Sequence, residues 1–168
     1  RIQAGEVLVA DGATGTNLLA RGLPRGVVSE AWLFDQPDAI LELHKDFLSA
    51  GADILLTNTF GASPLRLESV NLAQSVKMVN ERAVYLARQA AENIERQVFV
   101  AGSIGPCGQL MKPYGPLSEE QVFQSYLEHA RELIAAEIDL LVIETQFDLK
   151  EATLAVKAAE GITTWWGT

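Results

Sequence analysis

Two acidic residues and one run of small residues have the chemistry and the placing to bind an amino acid. Asp11 follows the apolar run at 7–10, and Glu144 follows the apolar run at 140–143. A carboxylate beside apolar residues is costly unless it is paired or solvated, and an ammonium group would pair with both. The backbone N–H groups of small residues, such as those after Asp11, can converge on an anion. Together these features suit a zwitterion, such as an α-amino acid.

Further candidate binding residues are small or polar, and each lies in a segment that follows an apolar run. They are Gly12, Ala13, Thr14, Gly15, Thr16, Thr57, Asn58 and Ser103. Other interpretations stay open, because Asp-Gly is also a common turn signal and because Asn and Thr often cap loops. Glu144 has an alternative role as well, in which it holds Thr57, Asn58 or Ser103, or caps a helix, instead of contacting a ligand.

The sequence offers little support for a nucleophile or a metal centre. Cys107 is the one cysteine, and a reactive cysteine needs a nearby base or a positive field. His44 and His129 fall inside predicted helices, away from the strand ends, and with Cys107 they match no recognised zinc spacing. No Gly-Lys-Ser/Thr follows residues 11–16, so they do not form a phosphate loop. We therefore assign no catalytic residue and no metal ligand.

Composition narrows the classes of partner. The chain has 168 residues and a formal net charge of −9, which argues against nucleic acid and anionic membrane surfaces as partners. A single cysteine permits no disulfide within the chain and fits a reducing cytoplasm. No apolar run approaches the roughly 18 residues that a membrane span needs.

The elements that must position these residues alternate between strand and helix. Apolar runs predict four strands, at 7–10, 53–57, 98–102 and 139–144. Segments with helical periodicity separate them, which is typical of a parallel sheet with crossover helices. In such folds function lies at the C-terminal ends of the strands, where Asp11 and Glu144 fall.

Local signals predict where the helices begin and end. The helices are expected at about 37–50, at about 75–96, after Ser118 and from Asp148 to about Glu160. Asp35 is the expected N-cap of the first, and Gly51 is its expected left-handed stop. Ser118 and Gln121 have the spacing of a capping box.

Five motifs of this chain occur together in one known family. They are Asp-Gly-Ala-Thr-Gly-Thr at 11–16, Ala-Gly-Ala-Asp at 50–53, Thr-Asn-Thr-Phe-Gly-Ala at 57–62, Gly-Ser-Ile-Gly-Pro at 102–106 and Glu-Thr-Gln-Phe-Asp at 144–148. In this order and spacing the chain resembles the homocysteine S-methyltransferases. These include the homocysteine-binding domain of cobalamin-dependent methionine synthase and the betaine- and S-methylmethionine-dependent enzymes. The resemblance covers residues 6–160.

The resemblance implies an α/β fold, a (β/α)8 TIM barrel of about 300 residues. Residues 1–168 would be its N-terminal half, with four to five βα units, and 161–168 an atypical tail. The implied activity is transfer of a methyl group to the sulfur of homocysteine, which gives methionine. By resemblance, Asp11 and Glu144 bind the substrate ammonium and Gly12–Thr16 meet its carboxylate. Thr57, Asn58 and Ser103 line the same mouth.

The resemblance also implies zinc, held by three cysteines that this sequence lacks; Cys107 matches none of them. We therefore expect the chain alone to be inactive. The methyl donor stays open among methylcobalamin with a folate, S-methylmethionine and betaine. The alternative function is a non-catalytic amino-acid-binding or assembly module. Half a barrel would leave open strand edges, through which the chain could self-associate.

Overall fold

The computed structural model describes residues 1–72 and 75–162. This part of the chain forms seven α-helices and three β-strands. In chain order they are α1 (Thr14–Ala20), α2 (Trp32–Asp35), α3 (Pro37–Ser49), β1 (Ile54–Leu56), α4 (Pro64–Ser69), α5 (Val76–Ala91), β2 (Phe99–Ile104), α6 (Glu119–Ala135), β3 (Leu140–Ile143) and α7 (Leu149–Glu160). None of these helices is long and apolar enough to cross a membrane.

The three strands form one parallel sheet in the order β1-β2-β3. Ser103 of β2 lies opposite Val142 of β3, so the two strands end at the same edge. One face of the sheet packs against the helices, with Val100 and Ile104 in a core that includes Tyr126 of α6. The predicted α/β class and the parallel pairing of the three later strands are confirmed.

The prediction of four to five strand–helix units is not confirmed: the described residues contain three strands. The segment 7–10 forms no strand; only Ala10 makes a bridge, to Ile54. Val7 is 85% exposed and Val9 is 53% exposed, and the Val9 carbonyl accepts from the backbone N–H groups of Asp53 and Ile54. The side chain of Asp53 also accepts a hydrogen bond from the Val9 N–H at 3.0 Å. The predicted atypical tail at 161–168 lies mostly outside the described residues.

Most helix ends follow their sequence signals. Ser118 and Gln121 form the predicted capping box at α6, and Asp148 caps α7 by accepting from two backbone N–H groups. Gly51 adopts the expected left-handed conformation, with φ of 102°. Asp35 is not the N-cap of α3: it ends α2, and Gln36 takes the cap position. Proline at the first position of α3 already favours the helix start there, without a side-chain cap.

The observed helices differ from the predicted ones at two places. The helix expected at 75–96 ends at Ala91, five residues early. The short helix α1, which begins at Thr14 soon after Asp11, has no counterpart among the predicted helices. The residues after Asp11 could therefore meet a ligand through the N–H groups at the start of α1.

Candidate functional site

Asp11 lies beside the C-terminal end of β1. Its backbone N–H donates to the carbonyl of Ile54 at 2.9 Å, and its Oδ2 accepts from the N–H of Leu56, also at 2.9 Å. Its Oδ1 is buried and accepts no hydrogen bond from any residue that the structure describes. A buried oxygen without a donor costs free energy, so this position favours a ligand that brings a donor.

The surroundings of Asp11 make its carboxyl group harder to ionise than a solvated one. Burial raises the pKa of Asp11 from 3.8 to about 7, opposed by the hydrogen bond from Leu56 and assisted by the negative charge of Glu144. The two carboxylates are therefore near enough to repel each other. A cation between them would relieve that repulsion and ionise Asp11 fully.

Glu144 follows β3 and is held by β2. Its Oε1 accepts a hydrogen bond of 2.5 Å from the hydroxyl of Ser103, and its N–H donates to the carbonyl of Ile104 at 3.0 Å. Thr145 approaches Oε2 only weakly, at 3.5 Å. The alternative role of Glu144, as a partner of Ser103, is therefore seen in the structure. The bond to Ser103 uses Oε1, so Oε2 of Glu144 can still accept a hydrogen bond from a ligand.

Thr57 joins the end of β1 to the end of β2. Its N–H donates to the carbonyl of Ala101 at 2.8 Å. Its hydroxyl donates to the Thr59 hydroxyl at 2.7 Å and accepts from the N–H of Ser103 at 3.3 Å. Thr59 in turn donates to the carbonyl of Ser103 at 2.8 Å. These buried hydroxyls fix the strand ends between Asp11 and Glu144.

Asn58 is also buried, and its side chain holds a distant loop. Its Nδ2 donates to the carbonyl of Ser29 at 2.9 Å. Close by, Glu30 is buried and its Oε1 accepts from the N–H of Gly61 at 2.6 Å. Sequence reasoning missed Glu30, because a lone acid in a long loop is ordinarily solvated.

The run after Asp11 brings a helix start to the site. Gly12 and Ala13 are exposed, and Ala13 takes the N-cap position of α1 without a side-chain bond. Thr14, Gly15 and Thr16 form the first turn, whose N–H groups have no acceptors within the helix. A Cβ on Gly12 would come within 3.3 Å of the Phe47 ring, so glycine here permits close packing on α3.

The described residues do not fit the zinc ion that the resemblance implies. Cys107 is buried, and burial raises the pKa of its thiol to about 12. Its N–H donates to Oε1 of buried Glu151 at 2.7 Å, and Tyr126 donates to the same oxygen at 2.8 Å. Within 1–72 and 75–162 no three His, Cys, Asp or Glu side chains are grouped to hold a metal ion. Cys107 is a core residue that anchors the loop after β2.

His44 and His129 are likewise core residues. Both are almost completely buried, and neither ring nitrogen of either side chain has a partner among the described residues. Burial lowers the pKa of His44 to about 4 and that of His129 to about 3, so both rings stay neutral at physiological pH. The prediction that they are structural agrees with this burial.

Comparison with known proteins adds to this geometry. The family model for homocysteine S-methyltransferase matches residues 8–167. The chain belongs to this family. It is 30% identical to methionine synthase of Mycobacterium tuberculosis over 159 residues, and 31% identical to betaine–homocysteine S-methyltransferase 1 of Bos taurus over 163 residues. The crystal structure of the homocysteine methyltransferase MmuM from Escherichia coli, in its metallated form, superposes with a TM-score of 0.80 at 29% identity.

The chain spans only part of each of these proteins. The matches cover 89% of the chain but 13% of the methionine synthase, and 94% of the chain but 39% of the bovine enzyme. The superposition on MmuM covers 95% of this chain and 61% of the MmuM chain.

Proposed function

We propose that this chain binds homocysteine and forms the amino-acid-binding part of a homocysteine S-methyltransferase, an enzyme that methylates the homocysteine sulfur to give methionine. One observation carries the proposal. Asp11 accepts from Leu56 at the end of β1, Glu144 accepts from Ser103 near the end of the neighbouring β2, and Asp11 keeps a buried oxygen without a donor. An α-ammonium group supplies positive charge and three donors.

The neighbouring residues would bind different parts of homocysteine or hold the site in place. Asp11 gives up its proton as the ammonium enters, and Ser103 orients Glu144 toward it. The substrate carboxylate meets the first-turn N–H groups of α1, where the helix end favours negative charge. Thr57 and Asn58 keep the strand ends in place through their own hydrogen bonds.

Activation of the sulfur needs groups beyond those described. A free thiol with a pKa near 8.5 is mostly protonated at neutral pH, and the thiolate is the nucleophile. The residues described here do not form the zinc site that would ionise it. We therefore propose binding, without turnover, for this chain alone. The methyl donor stays open; betaine is named for the bovine relative only.

Isothermal titration with homocysteine tests the proposal. We expect the wild-type chain to bind, and Asp11→Asn and Glu144→Gln each to weaken binding by about tenfold or more, because charge-assisted hydrogen bonds are lost. Glu42→Gln, at an exposed position on α3, is the control and should bind as the wild type does. Wild-type affinity in both site variants would refute the proposal, and so would a wild-type chain that binds no homocysteine.

A second candidate is an assembly module. β3 pairs with β2 on one side only among the described residues, and Leu140 on it is 41% exposed. Open strand edges and exposed apolar side chains favour pairing with another chain. Sedimentation equilibrium tests self-association: Leu140→Lys should shift an oligomer to monomer, whereas a wild-type chain that is monomeric at high concentration would refute it.

A further inference from the structure

A cavity beside α4 is lined by none of the residues proposed to bind homocysteine. Its walls are the loop at 26–30 and the residues Phe60, Gly61 and Arg66, and its volume is about 330 Å³. Small-molecule pockets usually have volumes of about 300 to 1,000 Å³. Phe60 is 38% exposed and Val27 is 42% exposed, so a ligand from solvent can reach the apolar part of the cavity.

Hydrogen bonds fix the loop that forms one wall of the cavity. Glu30 is buried, and its Oε1 accepts from the N–H of Gly61 at 2.6 Å, while its Oε2 accepts from the hydroxyl of Ser29 at 3.3 Å. The Nδ2 of Asn58 donates to the carbonyl of Ser29 at 2.9 Å. The wall is therefore in place before a ligand arrives, which reduces the free-energy cost of ordering it on binding.

Glycines let two side chains of the cavity lie directly on the backbone. A Cβ at Gly61 would lie 3.2 Å from Cγ of Arg66. A Cβ at Gly105 would lie 2.6 Å from the ring of Phe60. Neither glycine has a positive φ, so the close approach of side chains explains glycine at both positions. A Cβ at Gly108 would lie 2.5 Å from Nη1 of Arg66, so the guanidinium lies over the loop after β2.

The charged end of Arg66 has no partner in the described part of the chain. Its guanidinium makes no hydrogen bond and no ion pair there, although Glu30 and the stem of Arg66 both lie beside Gly61. A guanidinium presents its N–H donors in a planar fork that matches a carboxylate. The buried acid Glu30 and the formal net charge of −9 disfavour a ligand with a second negative charge, so a carboxylate suits the cavity better than a phosphate.

We propose that this cavity binds a small monocarboxylate with an apolar or aromatic body. The carboxylate pairs with the guanidinium of Arg66 through parallel N–H···O bonds, and the body packs against Phe60 and Val27. This second ligand site is independent of the proposed homocysteine site, because the two are lined by different residues.

Ligand-observed NMR titrations of the full chain test this site with three probes. They are benzoate, its uncharged analogue benzamide, and phenyl phosphate. We expect benzoate to bind the wild-type chain with a dissociation constant of about 1 mM or below, and benzamide and phenyl phosphate each to bind about tenfold more weakly.

Two arginine variants locate the binding. Arg66→Gln should weaken benzoate binding by about tenfold, whereas the matched control Arg131→Gln, at an exposed position on α6, should bind benzoate as the wild type does. Because the guanidinium of Arg66 has no partner among the described residues, Arg66→Gln should keep the melting temperature of the wild type. Its affinity for homocysteine should stay within about twofold of the wild type.

A wild-type chain that binds no benzoate, or binds benzamide equally well, would overturn this proposal and leave the homocysteine proposal intact. Preference for phenyl phosphate would overturn the monocarboxylate assignment. An equal loss of benzoate binding in Arg131→Gln would show general attraction to positive charge and overturn the site. Loss of homocysteine binding in Arg66→Gln would make the cavity part of the homocysteine site and overturn its independence. A chain that binds benzoate at Arg66 but no homocysteine would support this site and refute the proposed function alone.

Discussion

Proton release should accompany ligand binding at Asp11. Its pKa of about 7 means that about half of the unliganded molecules carry a proton there at neutral pH. An ammonium group binds the ionised carboxylate, so affinity is full above the pKa and falls as the pH drops below it. The apparent affinity should fall about tenfold from pH 8 to about pH 6, and about half a proton should leave per ligand bound at pH 7.

Binding heats measured in buffers of different ionisation enthalpy give the number of protons released per ligand bound. Methionine is a useful second ligand, because it shares the α-amino acid end of homocysteine and has no thiol to titrate. Asp11→Asn should bind more weakly, with a flat pH profile and no buffer-dependent heat. Glu144→Gln should move the inflection to lower pH, because the charge of Glu144 contributes to the raised pKa of Asp11.

A flat affinity between about pH 6 and pH 8 in the wild type, with no proton released, would refute this account of Asp11. So would an inflection near pH 7 that persists in Asp11→Asn, because another group would then be titrating.

Three further predictions concern the core and metal binding. The pKa of His44 is lowered from 6.5 to about 4 in the folded chain. As the pH falls, the unfolded chain therefore takes up a proton that the folded chain excludes, and the free energy of unfolding decreases. Urea titrations should show that His44→Leu removes about 2 kcal/mol of the loss between about pH 7 and pH 5, whereas an equal loss in both chains would contradict this. Glu151→Ala should lower the free energy of unfolding by roughly 2 to 4 kcal/mol, because it leaves the buried donors of Cys107 and Tyr126 short of an acceptor; Tyr126→Phe should cost about 1 kcal/mol. Removing zinc with a chelator should leave homocysteine affinity unchanged, since no three metal ligands are grouped among the described residues. Zinc-dependent binding would contradict the conclusion that these residues form no zinc site.

Features set by local sequence were predictable. The capping box at Ser118 and the cap at Asp148 depend on side chains within three residues, and both form as expected. The three later strands were predicted because continuous apolar runs need burial on both faces. The family was recognised from motifs, and the match over 8–167 confirms it.

Features set by distant neighbours were not predictable. The segment 7–10 has the composition of a strand, but it meets β1 only at its end, through the Val9 carbonyl and the bridge from Ala10 to Ile54, and Val7 and Val9 stay exposed. The start of α1 at Thr14 was missed because two glycines and two threonines favour a turn over a helix. The role of Glu144 as a partner of Ser103 was one of two open interpretations, and only the pairing of β2 with β3 brings the two side chains together.

Asp11 and Glu144 should together bind an α-ammonium group. The most direct test is competition between homocysteine and mercaptobutanoic acid, which is homocysteine without its ammonium, measured by isothermal titration at about pH 8. We expect the wild-type chain to prefer homocysteine by about a hundredfold, and this preference to fall to less than about tenfold in the Asp11→Asn, Glu144→Gln double variant. Equal affinity of the wild-type chain for both ligands would contradict it.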